Sequence, residues 1–237
     1  SLVYEGIICG YRNTQKMGKK LGVHIPWTIL FDPTSACNLH CTGCWASEYS
    51  RQLNLSNEDM DKLVTEAKEL GILFFVMTGG EPMTRKNDIL KLAKKHSDCG
   101  FMLYTNGTLV DQAFCDGMKE CGNIIFSMSI EGNEEATDAR RGKGTFAKIM
   151  KAMDLLRENH LPYGTSICYT SANCEAVTSD EFYDFLIDKG VLFSWYFHFM
   201  PVGKDTDLTL CPTIEQRKYM YKRIREVRGY TGGKKIF

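Results

Sequence analysis

Residues 27–44 read WTILFDPTSACNLHCTGC, a short apolar run followed by a loop that holds three cysteines. The run over residues 27–32 predicts a β-strand, because aromatic and β-branched side chains are typical of strands. A helix is predicted after the loop, since Ser56 is a good N-cap with Asp59 at the third position and Gly71 ends the amphipathic stretch. This strand, loop and helix form the first strand–helix unit of the chain.

The same alternation of apolar runs and amphipathic stretches continues to the end of the sequence. It is typical of parallel sheets whose strands are covered on both faces. Six strand–helix units are too few for a closed eight-stranded barrel, so we expect an α/β fold, a partial (β/α)6 barrel of parallel strands. The strands are predicted at residues 27–32, 72–78, 101–105, 124–130, 164–170 and 192–200.

Capping residues predict the starts of three later helices. Thr145 opens a stretch whose apolar residues follow helical spacing. The pairs Thr178 with Glu181 and Thr213 with Gln216 have the spacing of capping boxes. In a parallel sheet of this kind, loops at the carboxyl ends of the strands are where chemistry is expected.

The bulk composition limits the classes of partner. The chain has 237 residues, of which 43% are apolar, and its 29 basic and 29 acidic residues give no net formal charge. No nucleic-acid or anionic-membrane partner is therefore expected. No apolar run approaches the roughly 18 residues of a membrane span, and the first residues lack the apolar region of a signal peptide, so we expect a cytoplasmic protein without a membrane span.

Three regions are expected along the chain. Residues 1–24 are expected to be an N-terminal extension, and residues 25–229 the partial barrel. Residues 230–237 are expected to begin a linker to a C-terminal domain that is missing from this sequence. The first residue is serine rather than methionine, and Gly-Gly-Lys-Lys stands close to the last residue.

The cysteines of the first loop have the spacing Cys37-x3-Cys41-x2-Cys44. Three thiolates in so short a loop can surround one corner of an iron–sulfur cube and leave the fourth iron open to another ligand. Three other interpretations remain open. His40 could complete a zinc site, Cys41 and Cys44 could form a redox dithiol, or the three thiols could be unrelated core residues.

The second predicted strand runs into Thr78-Gly79-Gly80-Glu81-Pro82. Glycines at such a turn allow a ligand to approach the backbone closely. The turn also offers carbonyl and carboxylate acceptors for an ammonium group. By itself the string is only a tight turn, but it follows the cysteine loop by one strand.

The cysteine spacing resembles the defining motif of the radical S-adenosylmethionine (SAM) superfamily. The resemblance covers nearly the whole chain, and its branch includes molybdenum-cofactor, PQQ-type and SPASM-domain peptide-modifying enzymes. It implies a [4Fe–4S] cluster on Cys37, Cys41 and Cys44 that cleaves SAM to a 5′-deoxyadenosyl radical, which takes hydrogen from a substrate. Many members have an aromatic residue where this chain has Gly43; Trp45 is a candidate substitute.

The resemblance also implies a set of cofactor contacts at successive strand ends. Gly-Gly-Glu-Pro strings bind the SAM amino group in the family, and Ser-Ile-Asp-Gly strings place a serine on the cofactor; here the second string has glutamate at position 131. An arginine in an Arg-Gly-x-Gly-Thr-Phe stretch would bind the methionine carboxylate, and a methionine in a Met-Pro-x-Gly turn packs near adenine. For Asn106, a plain turn and a ligand role are equally plausible. The expected cofactor residues are Gly79, Gly80, Glu81, Asn106, Ser129, Arg141 and Met200.

The sequence therefore predicts a radical enzyme, with a non-catalytic zinc or electron-transfer module as the alternative. A low-potential electron donor of the flavodoxin or ferredoxin type is implied as a partner. The substrate is expected to be a peptide or protein, with a tetrapyrrole, a lipid or another small molecule as alternatives. No catalytic base is assigned, although His198 stands at the end of the last predicted strand.

Overall fold

Six strands form a single sheet, and each strand lies beside the next one in sequence. The structure, a computed structural model, describes residues 2–48, 52–202 and 207–230. The first strand pairs parallel with the second, the second with the third, the fourth with the fifth and the fifth with the sixth, as expected when a helix connects each strand to the next. The strands are Thr28–Phe31 (β1), Phe74–Met77 (β2), Gly100–Thr105 (β3), Ile124–Ser129 (β4), Tyr163–Tyr169 (β5) and Ser194–His198 (β6).

The predicted α/β fold class, a partial (β/α)6 barrel, is confirmed, and all six predicted strands are present near their predicted bounds. A π-helical segment, Leu2–Cys9, precedes the first α-helix. The helices are Gly10–Leu21 (α1), Asn57–Glu69 (α2), Lys86–Lys95 (α3), Gln112–Cys121 (α4), Glu134–Arg141 (α5), Thr145–Glu158 (α6), Asp180–Asp188 (α7) and Ile214–Tyr230 (α8). Short 3-10 helices are Trp45–Glu48, Pro82–Arg85, Ala176–Thr178 and Leu208–Leu210.

The chain divides into two compact units. The first comprises residues 1–38, 50–105 and 109–125, and its core contains the stacked rings of Phe75 and Phe101. The second comprises residues 39–49, 106–108 and 126–237, with Tyr183 among its fully buried side chains. The proposed boundaries at residues 24 and 229 stay predictions. Of the expected linker at residues 230–237, Tyr230 is the last residue of α8, and residues 231–237 lie outside the described residues.

The predicted caps of α2 are confirmed. The Ser56 side chain accepts a hydrogen bond from the Asp59 backbone N–H, at 3.0 Å. At the other end, Gly71 takes a left-handed conformation with φ of +87°. A Cβ at this position would lie 2.9 Å from the Asn13 backbone, so glycine is required both by the turn and by the close packing of α1.

One of the two predicted capping boxes is confirmed. The Thr213 hydroxyl accepts from the Gln216 N–H at 3.1 Å, and the Gln216 side chain accepts from the Thr213 N–H at 2.9 Å. The box at Thr178 is wrong: Ser179, which has the extended backbone that an N-cap needs, caps α7. Thr178 lies in a 3-10 helix and donates its hydroxyl to the Cys174 carbonyl.

A helix that crosses a bilayer needs about 20 mostly apolar residues. In residues 2–48, 52–202 and 207–230, no helix is long and apolar enough to cross a membrane.

Candidate functional site

In the first unit, the Gly-Gly turn packs directly on the loop that leads to Cys37. The Gly80 N–H donates to the Thr34 carbonyl at 2.9 Å, and the Glu81 N–H donates to the Ala36 carbonyl at 2.7 Å. A Cβ on Gly80 would lie 2.1 Å from the Ala36 oxygen. A side chain at this position would therefore displace the residues just before the first predicted ligand.

Gly79 is also needed for the turn to pack on the loop that leads to Cys37. Its φ of +103° is accessible mainly to glycine, and a Cβ there would lie 2.4 Å from the Thr34 carbonyl oxygen. The sequence had suggested that the glycines admit a ligand. In the structure, Gly79 and Gly80 make room for the backbone of the loop that leads to Cys37.

The Glu81 side chain is almost fully buried, with 1% of its surface exposed. Its Oε1 accepts from the Met83 N–H at 2.9 Å and from the Thr105 hydroxyl at 2.7 Å. Glu81 thus caps the 3-10 helix that follows the turn and joins it to the end of β3. Both hydrogen bonds are accepted by the same oxygen, so they fix the orientation of the carboxylate.

In the second unit, the turn from Cys41 to Cys44 is held by three contacts. The Cys44 N–H donates to the Cys41 carbonyl at 3.2 Å, and the Thr42 N–H donates to the Arg140 carbonyl at 2.8 Å. The third contact is apolar: a Cβ on Gly43 would meet the ring of Phe199 at 2.7 Å. Gly43 has a φ of +65°, so the turn itself also favours glycine.

A buried carboxylate with two arginines follows β4. Glu131 is fully buried, and its Oε1 accepts from Arg140 Nη1 at 2.6 Å and from Arg141 Nε at 2.9 Å. Its Oε2 and Arg140 Nε are buried without a hydrogen-bond partner among the described residues. Because two guanidinium groups share one carboxylate, the cluster has an excess of positive charge and can attract an anionic group.

The loop that carries Arg141 is shaped by Asp138. The Asp138 carboxylate accepts from the backbone N–H groups of Gly144, at 2.6 Å, and Phe146, at 2.8 Å, at the start of α6. These hydrogen bonds hold the pKa of Asp138 below its usual range. The Arg-Gly-x-Gly-Thr-Phe stretch is thus a capped loop whose first residue is Arg141.

The remaining predicted cofactor residues also lie in the second unit. Ser129, half-buried, is the last residue of β4 and is in register with Ser166 of β5. Asn106 is buried, and its side-chain oxygen accepts from the N–H and hydroxyl of Thr108, so the predicted turn is present there. Met200 is 62% exposed and follows β6 by two residues.

All ten cysteines lie within the described residues and are thiols rather than disulfides. The predicted ligands, Cys37, Cys41 and Cys44, are half-buried and share one loop. In residues 2–48, 52–202 and 207–230, no three His, Cys, Asp or Glu side chains are grouped closely enough to hold a metal ion. The ligand set therefore stays a prediction from spacing and from the chemistry of its donors.

The other seven cysteines are scattered along the chain, and fewer than half of them are buried. Cys99, Cys115 and Cys174 are buried, whereas Cys9, Cys121, Cys168 and Cys211 are half-buried.

Three side chains near the cysteine loop carry roles that sequence reasoning did not assign. Phe199 packs on the Cys41–Cys44 turn, Asp138 shapes the Arg141 loop, and Cys168 lies near Arg140, whose guanidinium opposes the rise in the thiol pKa caused by burial. The spacing from Asp138 to the glycines was a usable signal for a cap. For Phe199 no local signal exists, because its contact joins residues far apart in sequence.

The strand order and these strand-end loops define the class, an α/β protein with the partial (β/α)6 barrel fold. The model of the radical SAM superfamily matches residues 31–174, which is more than half of the chain. The chain therefore belongs to the radical SAM superfamily, and the resemblance seen in its motifs is confirmed. Members of this superfamily are enzymes that use a [4Fe–4S] cluster and SAM.

Curated relatives include an AdoMet-dependent heme synthase from Methanosarcina barkeri, 27% identical over 185 residues, covering 76% of this chain and 52% of the relative. A serine-type anaerobic sulfatase-maturating enzyme from Klebsiella aerogenes is 28% identical over 197 residues, covering 75% of this chain and 47% of the relative. The chain thus spans about half the length of these relatives.

Among solved structures, Streptococcus suis SuiB bound to the precursor peptide SuiA superposes with a TM-score of 0.77. The match covers 93% of this chain and 51% of SuiB, at 16% sequence identity. At this identity the likeness supports the fold, and it agrees with the strand order described above.

Proposed function

We propose that this chain binds a [4Fe–4S] cluster through Cys37, Cys41 and Cys44 and reductively cleaves SAM. When bound, the cluster would supply the electron that breaks the sulfonium carbon–sulfur bond, and the resulting 5′-deoxyadenosyl radical would take hydrogen from a substrate. The observation that carries the proposal is the backbone pairing of the Gly80–Glu81 turn with residues 34–36. This pairing holds the turn that is proposed to bind SAM against the loop that leads to Cys37.

The donor set fits this cluster. Three thiols that are half-buried and sit in one short loop suit an iron–sulfur site with an open position, because a complete protein cage uses four thiolates. The turn from Cys41 to Cys44 is held by Arg140 and Phe199, so two of the three thiols start from a constrained backbone.

The chain's own residues would orient SAM. The Glu81 carboxylate and the carbonyls of the Gly79–Gly80 turn would accept from its amino group, and Arg141 would bind its carboxylate, with Glu131 fixing the guanidinium plane. Ser129 and Asn106 would add polar contacts from the ends of β4 and β3. Met200, which is exposed, would pack against adenine.

The partners and location are proposed on the same basis. A peptide or protein is the proposed substrate, supported by relatives that mature sulfatases and by the fold shared with SuiB in complex with its precursor peptide. A flavodoxin- or ferredoxin-type protein would supply the low-potential electron. A cytoplasmic location is also proposed, as is a further C-terminal domain in the whole protein.

The test is anaerobic reconstitution with iron and sulfide, followed by dithionite and SAM and an assay of 5′-deoxyadenosine. Native chain should release it, and Cys41→Ala should not. Cys211→Ala is the matched control, because Cys211 is a half-buried thiol outside the loop, and it should behave as native chain does. Zinc in place of a brown chromophore, or equal loss in both variants, would contradict the proposal.

A further inference from the structure

A groove of about 420 Å³ lies in the second unit, at the carboxyl ends of the last two strands. Tyr169 ends β5 and His198 ends β6, and their rings meet edge to face with centroids 6.3 Å apart. The opposite wall is formed by α8. The lining residues are Tyr169, His198, Ile214, Arg217, Lys218 and Tyr221.

The wall that α8 contributes is one continuous helix face. Ile214, Arg217, Lys218, Tyr221 and Arg225 follow one another at short intervals that place them on the same side of the helix. Ile214 and Tyr221 are 66% and 63% exposed. This face therefore presents large apolar groups and cations together rather than packing into the core.

Within the described part of the chain, no carboxylate neutralises the cations of this face. Among the residues that the structure describes, neither Arg217 nor Lys218 forms an ion pair, and Arg217 interacts with the Tyr169 hydroxyl on the opposite wall of the groove. The carboxylate of Glu226 is engaged elsewhere, by Arg223 at 2.8 Å and by Lys222 at 3.6 Å. The groove side of α8 therefore has an excess of positive charge in a chain whose net formal charge is zero.

A third basic group on this face is already oriented. The Arg225 guanidinium lies 5.4 Å above the ring of Tyr221 and donates from Nη1 to its hydroxyl at 2.6 Å. Arg217 and Arg225 are eight residues apart, a rise of about 12 Å along the helix. In an extended peptide, side chains four residues apart project from the same side about 13 Å from each other. The two spacings match.

From this arrangement we propose that the groove binds an acidic, extended segment of a peptide substrate. Carboxylates of the segment contact Arg217, Lys218 and Arg225, and its apolar residues pack on Ile214 and Tyr221. The proposal rests on the proposed function, because it names the substrate class of the same radical enzyme. A segment held here lies beside the strand ends of the second unit, where His198 stands two residues before Met200.

The test is fluorescence anisotropy with the anaerobically reconstituted chain and a short fluorescein-labelled peptide that has aspartate at every second position. A control peptide of the same length has asparagine in place of each aspartate and therefore lacks the charges. The double variant Arg217→Glu, Lys218→Glu should weaken binding of the acidic peptide by about tenfold or more. Raised salt should weaken the native interaction because it screens exposed charges.

The matched control is Lys148→Glu with Lys151→Glu, two exposed lysines of α6 whose replacement gives the same change in net charge. It should alter binding less than about twofold, since its charges lie outside the groove. Equal weakening in both double variants, or equal binding of the asparagine peptide, would overturn the proposal. A third outcome would also overturn the proposal: native chain binds an iron coproporphyrin but not the peptide, and the Arg217→Glu, Lys218→Glu variant loses that binding. The groove would then serve a tetrapyrrole.

The same samples separate this proposal from the one on which it rests. Binding is measured without dithionite or SAM, and 5′-deoxyadenosine release by native chain is measured afterwards. If the peptide binds in a way that depends on the groove but chain with a loaded cluster releases no 5′-deoxyadenosine, only the proposal of radical chemistry is contradicted. If 5′-deoxyadenosine is released but the peptide does not bind in this way, only the proposal of a peptide-binding groove is contradicted.

Discussion

The ring of Phe199 occupies the space into which a side chain at position 43 would project. A Cβ on Gly43 would lie 2.7 Å from Phe199 Cε2 and 3.0 Å from its Cζ, and Phe199 itself is buried. The segment that follows β6 is thereby packed against the turn that joins Cys41 to Cys44. Gly43 and Phe199, which are 156 positions apart in sequence, determine the shape of this turn together.

This relationship predicts a coupled pair of mutations. Gly43→Ala should destabilise the chain by about 1–3 kcal/mol, because alanine resists the left-handed backbone and overlaps the ring. Phe199→Ala should cost about 3–5 kcal/mol as a large buried truncation. The double variant should cost less than the sum by more than about 0.5 kcal/mol, since the overlap disappears with the ring. Urea unfolding measures all three values.

Gly22 offers a control for the backbone contribution. It has a φ of +70°, and a Cβ at this position would meet no atom within 4 Å, so Gly22→Ala keeps the strain and lacks the overlap. Its cost should be about 1–2 kcal/mol and should add to that of Phe199→Ala. If the free-energy costs of Gly43→Ala and Phe199→Ala also add in the double variant, the ring of Phe199 does not restrict the turn.

Glu131→Gln should be strongly destabilising. The substitution leaves Arg140 and Arg141 with their charges and removes the buried carboxylate between them, a change of about 3–5 kcal/mol for a broken buried pair. The exposed Glu135→Gln on α5 should change stability by less than about 0.5 kcal/mol. Urea midpoints of the two variants check this, and similar values would mean that the cluster contributes little.

Thiol alkylation should separate the loop cysteines from the core ones. Burial raises the pKa of Cys99 to about 12 and that of Cys115 to about 11, so neither forms much thiolate at neutral pH. In apo chain, iodoacetamide should modify Cys37, Cys41 and Cys44 and spare these two until the chain unfolds. Loading the cluster should protect the three loop thiols. Mass mapping reads the result, and unprotected loop thiols in loaded chain would contradict the ligand set.

Asp138→Asn should reduce stability at neutral pH and have little effect in acid. The folded-state pKa of Asp138 is lowered by the N–H groups of Phe146 and Gly144, so its contribution is present above the unfolded pKa of about 4. That contribution is lost as the pH falls through the lowered folded value. Urea midpoints from pH 7 to pH 3 should therefore converge for native and variant chains. A constant difference over this range would show that the charge is not responsible.

The local sequence was sufficient for the order of elements. Alternating apolar runs and capped amphipathic stretches predicted all six strands, and Ser56 and Thr213 were recognised as caps because a capping box needs only neighbouring residues. The cap at Thr178 was misassigned to a residue one position away, since the choice between Thr178 and Ser179 depends on backbone conformation. Cysteine spacing and the Gly-Gly-Glu-Pro string also indicated the family, which the family model confirmed.

By itself, then, the sequence determined the fold class, the family and the candidate ligands, because these follow from periodicity and from short strings of fixed spacing. Only the tertiary structure decided that Gly80 must admit the Ala36 carbonyl, that Glu131 lies between two arginines, and that Phe199 covers Gly43. The first and the last of these contacts join residues that follow different strands, and the second joins the segment that follows β4 to the last residues of α5. Their geometry depends on how the strands pair in the sheet, which no local pattern of residues specifies.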